Sequence, residues 1–346
     1  DVSSTNLLAY TATFGGGFSA TISMEDPISR RQPRFSDSLG GLTSSGPSFT
    51  NFGTYTQAVP FVTPAGALRY GNYDIIQRES VPDFVAAVRY DAPWGAAQVS
   101  AAMHQLSGGN LVSTTTVPGG TADTTFGLAA GAPKVKDEIG WAVQGGLKLN
   151  LPQLATGDVL WLQAAYSEGA LSYTGQPARF AGSELLSVTY SGRFPVSTVD
   201  SFIGLDGKQK LTESWSVTGA FLHYWTPQWR SAVFGSYGEV NFGAGSRAVI
   251  GALPVAGRFG LNPAFDSRLR DYSVSVVGAN LIWSPVKDLD IGLEGIYTRV
   301  GLKGGRVADL TNGTTAAVIN TTTGVPAKTA KSDDVWSLRM RVQRDF

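Results

Sequence analysis

Residues 334–346 read DVWSLRMRVQRDF, and the alternation in this stretch decides the fold. Large apolar groups occupy Trp336, Leu338, Met340 and Val342, and the last residue is Phe346. Ser337, Arg339, Arg341, Gln343 and Asp345 fill the positions between them. Strand side chains alternate between the two faces of a sheet, so this segment has one greasy face and one charged face. A transmembrane barrel needs such a strand, with a lipid-facing apolar row, a wet row and no frayed edge. Arg344 falls on the apolar row and snorkels to the headgroups if this end lies at the interface.

The same period of two recurs upstream. Asn6–Phe14 and Phe18–Asp26 flank Gly15-Gly16-Gly17, a glycine turn between two alternating runs that predicts a hairpin. Val81–Tyr90 and Trp94–Gln105 form a second hairpin around Asp91-Ala92-Pro93, with Arg89 and Gln98 on the polar row. In the third, Ile139–Leu151 alternates apolar groups with Gln144 and Lys148, and Asp158–Ser167 returns. Leu211–Trp225 and Trp229–Phe242 turn at Thr226-Pro227-Gln228; Tyr272–Trp283 and Leu289–Val300 turn at Ser284–Asp288. Asp290 and Glu294 fall on the polar row of the last of these strands.

Between the hairpins run long polar segments, about 27–80, 106–137, 168–210, 243–270 and 301–331, rich in Gly, Ser, Thr and Pro. Within 168–210, Leu185–Tyr190 and Val199–Leu205 have weak strand character, and a loop is the preferred reading. Tight turns and long loops therefore alternate strictly, as in outer-membrane barrels with short periplasmic turns and long outside loops. Phe14, Phe18, Tyr90, Trp94, Trp225, Trp229, Trp283 and Phe346 all flank tight turns or the terminus, which predicts one aromatic girdle on the turn side. A soluble β-sandwich shares the alternation but leaves this one-sided placement unexplained.

Composition agrees. The 346 residues carry 27 basic and 27 acidic groups, a balance that gives no footprint for nucleic acid. Only 16% are charged, against about 25% in soluble domains. Mean hydropathy is near zero and no run of about 18 apolar residues occurs, so spanning helices are excluded. The chain has no cysteine, and no leader is recognisable at its start.

Several stretches resemble the outer-membrane porin family of alphaproteobacteria, the general diffusion porins: LLAYTATFGGGFSATISMEDP at 7–27, VPDFVAAVRYDAPWGAAQVSAAMHQ at 81–105, HYWTPQWRSAVFGSYGEVNF at 223–242 and RMRVQRDF at 339–346. The resemblance implies an all-β, antiparallel transmembrane β-barrel of about 16 strands, with about 11 to 12 of them in this chain. It also implies a homotrimer in the bacterial outer membrane that passes small hydrophilic solutes and ions. On this reading residues 1–346 are a single barrel whose amino-terminal strands are missing, with Asp1–Thr5 the tail of the constriction loop. A mass well above 36.5 kDa for the mature protein would show as much.

Chemistry is sparse. His104 and His223 have no metal-ligand spacing, and Ser100 lies about 13 Å from His104 along one strand face, too far for a nucleophile–base pair. His104 is expected to line the lumen and His223 to sit near the interface. Asp288 and Asp290 lack the rest of a calcium loop. No catalytic residue, metal or cofactor is expected. The residues expected to line a pore are Arg89, Gln98, Gln144, Lys148, Asp290, Glu294, Arg339 and Arg341, whose mixed signs predict weak ion selectivity. Arg30, Arg31 and Arg34 either fold inward at a constriction, bind lipopolysaccharide phosphates or contact another subunit. The competing expectation is a structural or adhesive barrel with a plugged lumen and partner-binding loops.

Overall fold

The computed structural model describes residues 5–27, 34–35, 56–74, 80–107, 111–115, 134–175, 193–194, 196–253, 261–311, 319–320 and 322–344. Its frame is one antiparallel sheet of 11 strands. These are β1 (Leu7–Gly15), β2 (Phe18–Glu25), β3 (Asp83–Ala92), β4 (Gly95–Leu106), β5 (Glu138–Asn150), β6 (Val159–Glu168), β7 (Glu213–Thr226), β8 (Trp229–Asn241), β9 (Tyr272–Val286), β10 (Leu289–Leu302) and β11 (Ser332–Arg344). Each pairs with its sequence neighbours, and β1 and β11 are the two edges among the described residues. Every strand expected from alternation is present. Among the described residues no helix is long and apolar enough to cross a membrane.

The tight turns are tighter than the sequence indicates. Asp91 and Ala92 belong to β3, so only Pro93 and Trp94 turn that hairpin. Pro227-Gln228 and Lys287-Asp288 do the same for β7–β8 and β9–β10. Two of the turns depend on backbone angles that glycine tolerates. Gly17 has φ 89°, and a Cβ there would stand 2.1 Å from the Asp91 carbonyl oxygen. Gly95 has φ 144°, and its Cβ would meet the Lys148 carbonyl oxygen at 1.8 Å.

The described parts of the long connections carry structure of their own. Thr56–Val62, Leu68–Asp74 and Leu111–Thr115 form a separate antiparallel sheet of 3 strands. Segment 168–210, expected as a loop, holds a 3-10 turn at Leu171–Thr174 and short strands at Ser201–Ile203 and Gln209–Leu211. The first of these covers part of the Val199–Leu205 alternative; Leu185–Tyr190 lies outside the described residues. A helix spans Ser246–Ala252, and Val307–Ala308 pairs with Thr329–Ala330.

These segments build the main hydrophobic core. Leu171, Phe194, Val196, Phe202, Val249, Ile250 and Leu269 from the connections pack with Val240, Tyr272, Val300 and Leu302 from β8, β9 and β10. Phe202 and Leu269 are completely buried. Side chains of this size each contribute ~1.5–3 kcal/mol when removed from water. The core therefore sits at the loop side, against one face of the sheet.

Contact with the wall is close. A Cβ on Gly140 of β5 would lie 2.2 Å from the Gly169 carbonyl oxygen. Gly140→Ala is therefore expected to push Leu171–Thr174 off the sheet at a cost of ~1–3 kcal/mol. Amide exchange in 169–175 should accelerate about ten-fold or more while β5 and β6 stay protected; unchanged exchange would contradict the packing.

Candidate functional site

Register fixes which side chains share a face. Arg89 pairs with Gln98 and Gln98 with Gly146; Ser100 pairs with Gln144 and Ala96 with Lys148. Across β10 and β11, Glu294 pairs with Arg339, Gly292 with Arg341 and Asp290 with Gln343. The unbroken ladder from β3 to β11 puts Arg89, Gln98, Gln144, Lys148, Asp290, Glu294, Arg339 and Arg341 on one face. Leu293, Tyr297, Trp336, Leu338, Met340 and Val342 occupy the other, and Leu338 is 75% exposed.

The charged face divides along its length. On the loop side it is dry: Asp83, His104, Leu106, Ala142, Ser167, Ser214, Val240, Tyr272 and Val300 are all buried beneath the connections. On the turn side Arg89, Lys148, Arg339 and Arg341 are exposed.

A buried polar cluster ties the two layers together. His104 Nδ1 lies 2.7 Å from Asp83 Oδ1, and its Nε2 lies 3.9 Å from Asp200 Oδ2. Tyr173 donates its hydroxyl to Asp83 Oδ2 at 2.8 Å, and the Leu171 amide donates to Asp200 Oδ1 at 2.7 Å. His104 is therefore on the expected face but 1% exposed, because Leu171–Thr174 and Asp200 cover it. Burying charges this way requires pairing and hydrogen bonding, which the cluster supplies. Nearby, Arg247 donates to the carbonyls of Arg268 and Pro263. Burial, then the neighbouring Arg270 charge, pushes its pKa down to about 10.

The turn side carries two open charge clusters. Arg89 grips Asp91 through Nη2–Oδ1 at 2.7 Å and Nε–Oδ2 at 2.8 Å. Arg230 Nη2 donates to Asp290 Oδ2 at 2.5 Å, and Ser284 donates to Asp290 Oδ1 at 2.6 Å. Asp290 also lines a cleft of about 520 Å³ with Gln228, Ser284, Lys287 and Gln343. Arg339 and Glu294 approach only to 3.9 Å. Sequence reading missed Asp91 and Arg230. Both stand beside turns, and Asp91 was assigned to one; parity counted from Arg89 and from the Trp229 girdle position identifies them.

The apolar face carries aromatic rows at both ends. Phe18, Tyr90 and Trp94 contact one another near the turns, as do Trp229 and Trp283. Phe14 and Trp225 are exposed beside them at 69% and 64%. Near the loops, Trp141 packs at a tilt against Tyr166, Trp215 against Tyr237 and Tyr297 against Trp336. This second row was not expected from sequence. Trp215 and Trp225 are about 33 Å apart along β7, which projects to about 25 Å at a tilt of ~40°.

His223 lies on this apolar face, between Phe221 and Trp225, with Nδ1 2.6 Å from Asp158 Oδ2. Burial works to raise the Asp158 pKa, but hydrogen bonds from His223 and the Tyr224 amide outweigh it and hold the carboxyl below its ordinary value. That turn contact persists above the usual carboxylate range and weakens as pH falls through it. Arg30, Arg31 and Phe346 lie outside the described residues. Arg34 contributes backbone to a short parallel pairing with Ser201.

The model of the porin subfamily matches residues 1–337. The chain belongs to the porin subfamily. Among solved structures, the outer membrane channel DcaP of Acinetobacter baumannii aligns with a TM-score of 0.46 and 14% identity, over 97% of this chain and 62% of that one. The NanC porin in its rhombohedral crystal form gives 0.29 and 9%, over 98% of each chain. This porin chain thus spans 62% of the length of the DcaP chain it matches. No curated protein matches it.

The cluster beneath the porin's connections makes a sharp prediction. Asp83→Asn removes the charged acceptor shared by His104 and Tyr173, at a cost of ~1.5–3 kcal/mol. Chymotrypsin should then cleave at Leu171 and Tyr173, which native packing shields. A cleavage pattern unchanged from the parent would contradict the anchoring role.

Proposed function

We propose that this porin forms a water-filled channel for passive diffusion of small hydrophilic solutes and ions through a bacterial outer membrane. The charged face of the sheet is the pore wall, with Arg89, Gln98, Gln144, Lys148, Asp290, Glu294, Arg339 and Arg341 as lining residues. The apolar face meets lipid, and residues 1–346 belong to a single transmembrane barrel of the alphaproteobacterial general-diffusion type. Movement is down the gradient, with no covalent chemistry and no cofactor. A homotrimer, and lipopolysaccharide around the loop-side rim, complete the proposal.

One observation carries the reading. The face opposite the charged wall is an apolar band bounded by aromatic rows at both ends, ten residues or about 33 Å apart along β7, a length that matches a lipid-facing barrel surface for strands tilted by ~40°. A soluble protein has no reason to leave Leu293, Leu338 and Met340 about half or more exposed in register (52%, 75% and 72%).

The plugged-barrel reading keeps one supporting observation. The loop-side half of the charged face is dry, filled by Phe194, Phe202, Ile250 and Leu269. The two readings differ in an experiment. Purified protein in planar bilayers should produce discrete current steps, and loaded liposomes should swell in small sugars but not large ones. Absence of both current and swelling would favour the plug and overturn the channel.

A further inference from the structure

We propose that the turn-side mouth of the pore attracts anions, because each of two wall clusters sets one carboxylate between two cations. The inference rests on the channel reading of the charged face. It departs from the weak selectivity that the balance of 27 basic and 27 acidic residues predicts for the whole chain.

The first cluster joins β3 and β5 across β4. Asp91 pairs with Ala96 and Ala96 with Lys148, so Asp91 and Lys148 share a row two strands apart. Asp91 is already held by both ends of the Arg89 guanidinium, and the Lys148 charge acts on it in addition. Lys148 itself is exposed. A Cβ on the neighbouring Gly146 would meet nothing within 4 Å, so open space adjoins the ammonium group.

The second cluster repeats the arrangement on the same face, on strands β8 to β11. Arg230 pairs with Ile282, Ile282 with Gly292 and Gly292 with Arg341, which places both arginines on one row. Asp290 lies two positions from Gly292 on the same face. Its oxygens take up Arg230 and Ser284, while Arg341 adds a longer-range charge. On β10 and β11, one step further from the turns, Glu294 and Arg339 balance each other at 3.9 Å.

In each cluster the closer cation neutralises the carboxylate, and the other faces the water. Lys148 and Arg341 are therefore an excess of two positive charges among the described residues of the turn-side wall. The open space at Gly146 gives the Lys148 charge room to project, and Arg341 is exposed on its strand. A low-dielectric wall focuses such a field into the aqueous space and raises the local concentration of the opposite ion. Small inorganic and carboxylate anions are the favoured solutes.

The test is the reversal potential of the purified protein in a planar bilayer under a potassium chloride gradient. The anion-to-cation permeability ratio should be about two or more in ~0.1 M salt and fall toward one near ~1 M, where screening shortens to about 3 Å. In Lys148→Gln/Arg341→Gln the preference should vanish while the current steps remain. The single variant Lys148→Gln, at an exposed position, should lose part of it. Cation preference in the parent, or a ratio unchanged in both variants, would overturn this inference alone. A protein that passes no current overturns the channel reading and this inference with it.

Discussion

Strand pairing is the constraint on which everything else depends. A strand in lipid has no water for its amides and carbonyls, so each must find its partner on the adjacent strand. The ladder here runs without interruption from β1 to β11, and the register shifts within it lie beside tight turns, at Thr13/Gly15, Tyr224/Thr226 and Trp283/Val286. A slip of one residue anywhere between would exchange the two faces of a strand, placing Arg339 with Leu293 and Leu338 with Glu294. Sidedness is thus fixed by hydrogen-bond geometry before any side chain acts.

Within that frame the charged face performs two tasks. Toward the turns it presents Arg89, Gln98, Lys148 and Arg341 to open space. Toward the loops the same rows switch chemistry: Val240, Tyr272, Val300 and Leu302 replace polar groups and receive the connections. Strand ends that are apolar on both faces have something covering each face. The covering layer is itself pinned by polar groups, since His104 and Asp83 on the wall meet Tyr173 and Asp200 from the segment above. In the proposed channel this packed layer would narrow the loop-side opening.

Alternation is local, so the sequence alone displays all eleven strands and the parity of Lys148, Asp290, Arg339 and Arg341. Long-range packing is a different matter. His104 has the correct parity for the wall, but nothing near it in sequence announces that Leu171–Thr174 and Asp200 return to bury it. Asp91 escaped because a hairpin with two turn residues keeps as strand what a longer turn would release. Arg230 stood inside the expected strand Trp229–Phe242, and its partner Asp290 lies two strands away, a proximity that only the register reveals. The loop-side aromatic row escaped because Trp141–Tyr166 and Trp215–Tyr237 are cross-strand neighbours, visible only once the register is known. The short strands Ser201–Ile203 and Gln209–Leu211 owe their existence to the core they enter, since three residues carry too little pattern to be read.

The most direct test of the two-faced wall uses the absence of cysteine in the chain. Single cysteines would be placed along β11, one variant per position from Trp336→Cys to Arg341→Cys, in protein reconstituted into liposomes. A charged, water-soluble maleimide should label positions 337, 339 and 341 rapidly and positions 336, 338 and 340 slowly, with the opposite order for a lipid-soluble quencher. Uniform labelling along the strand, or labelling with the reverse parity, would contradict the account.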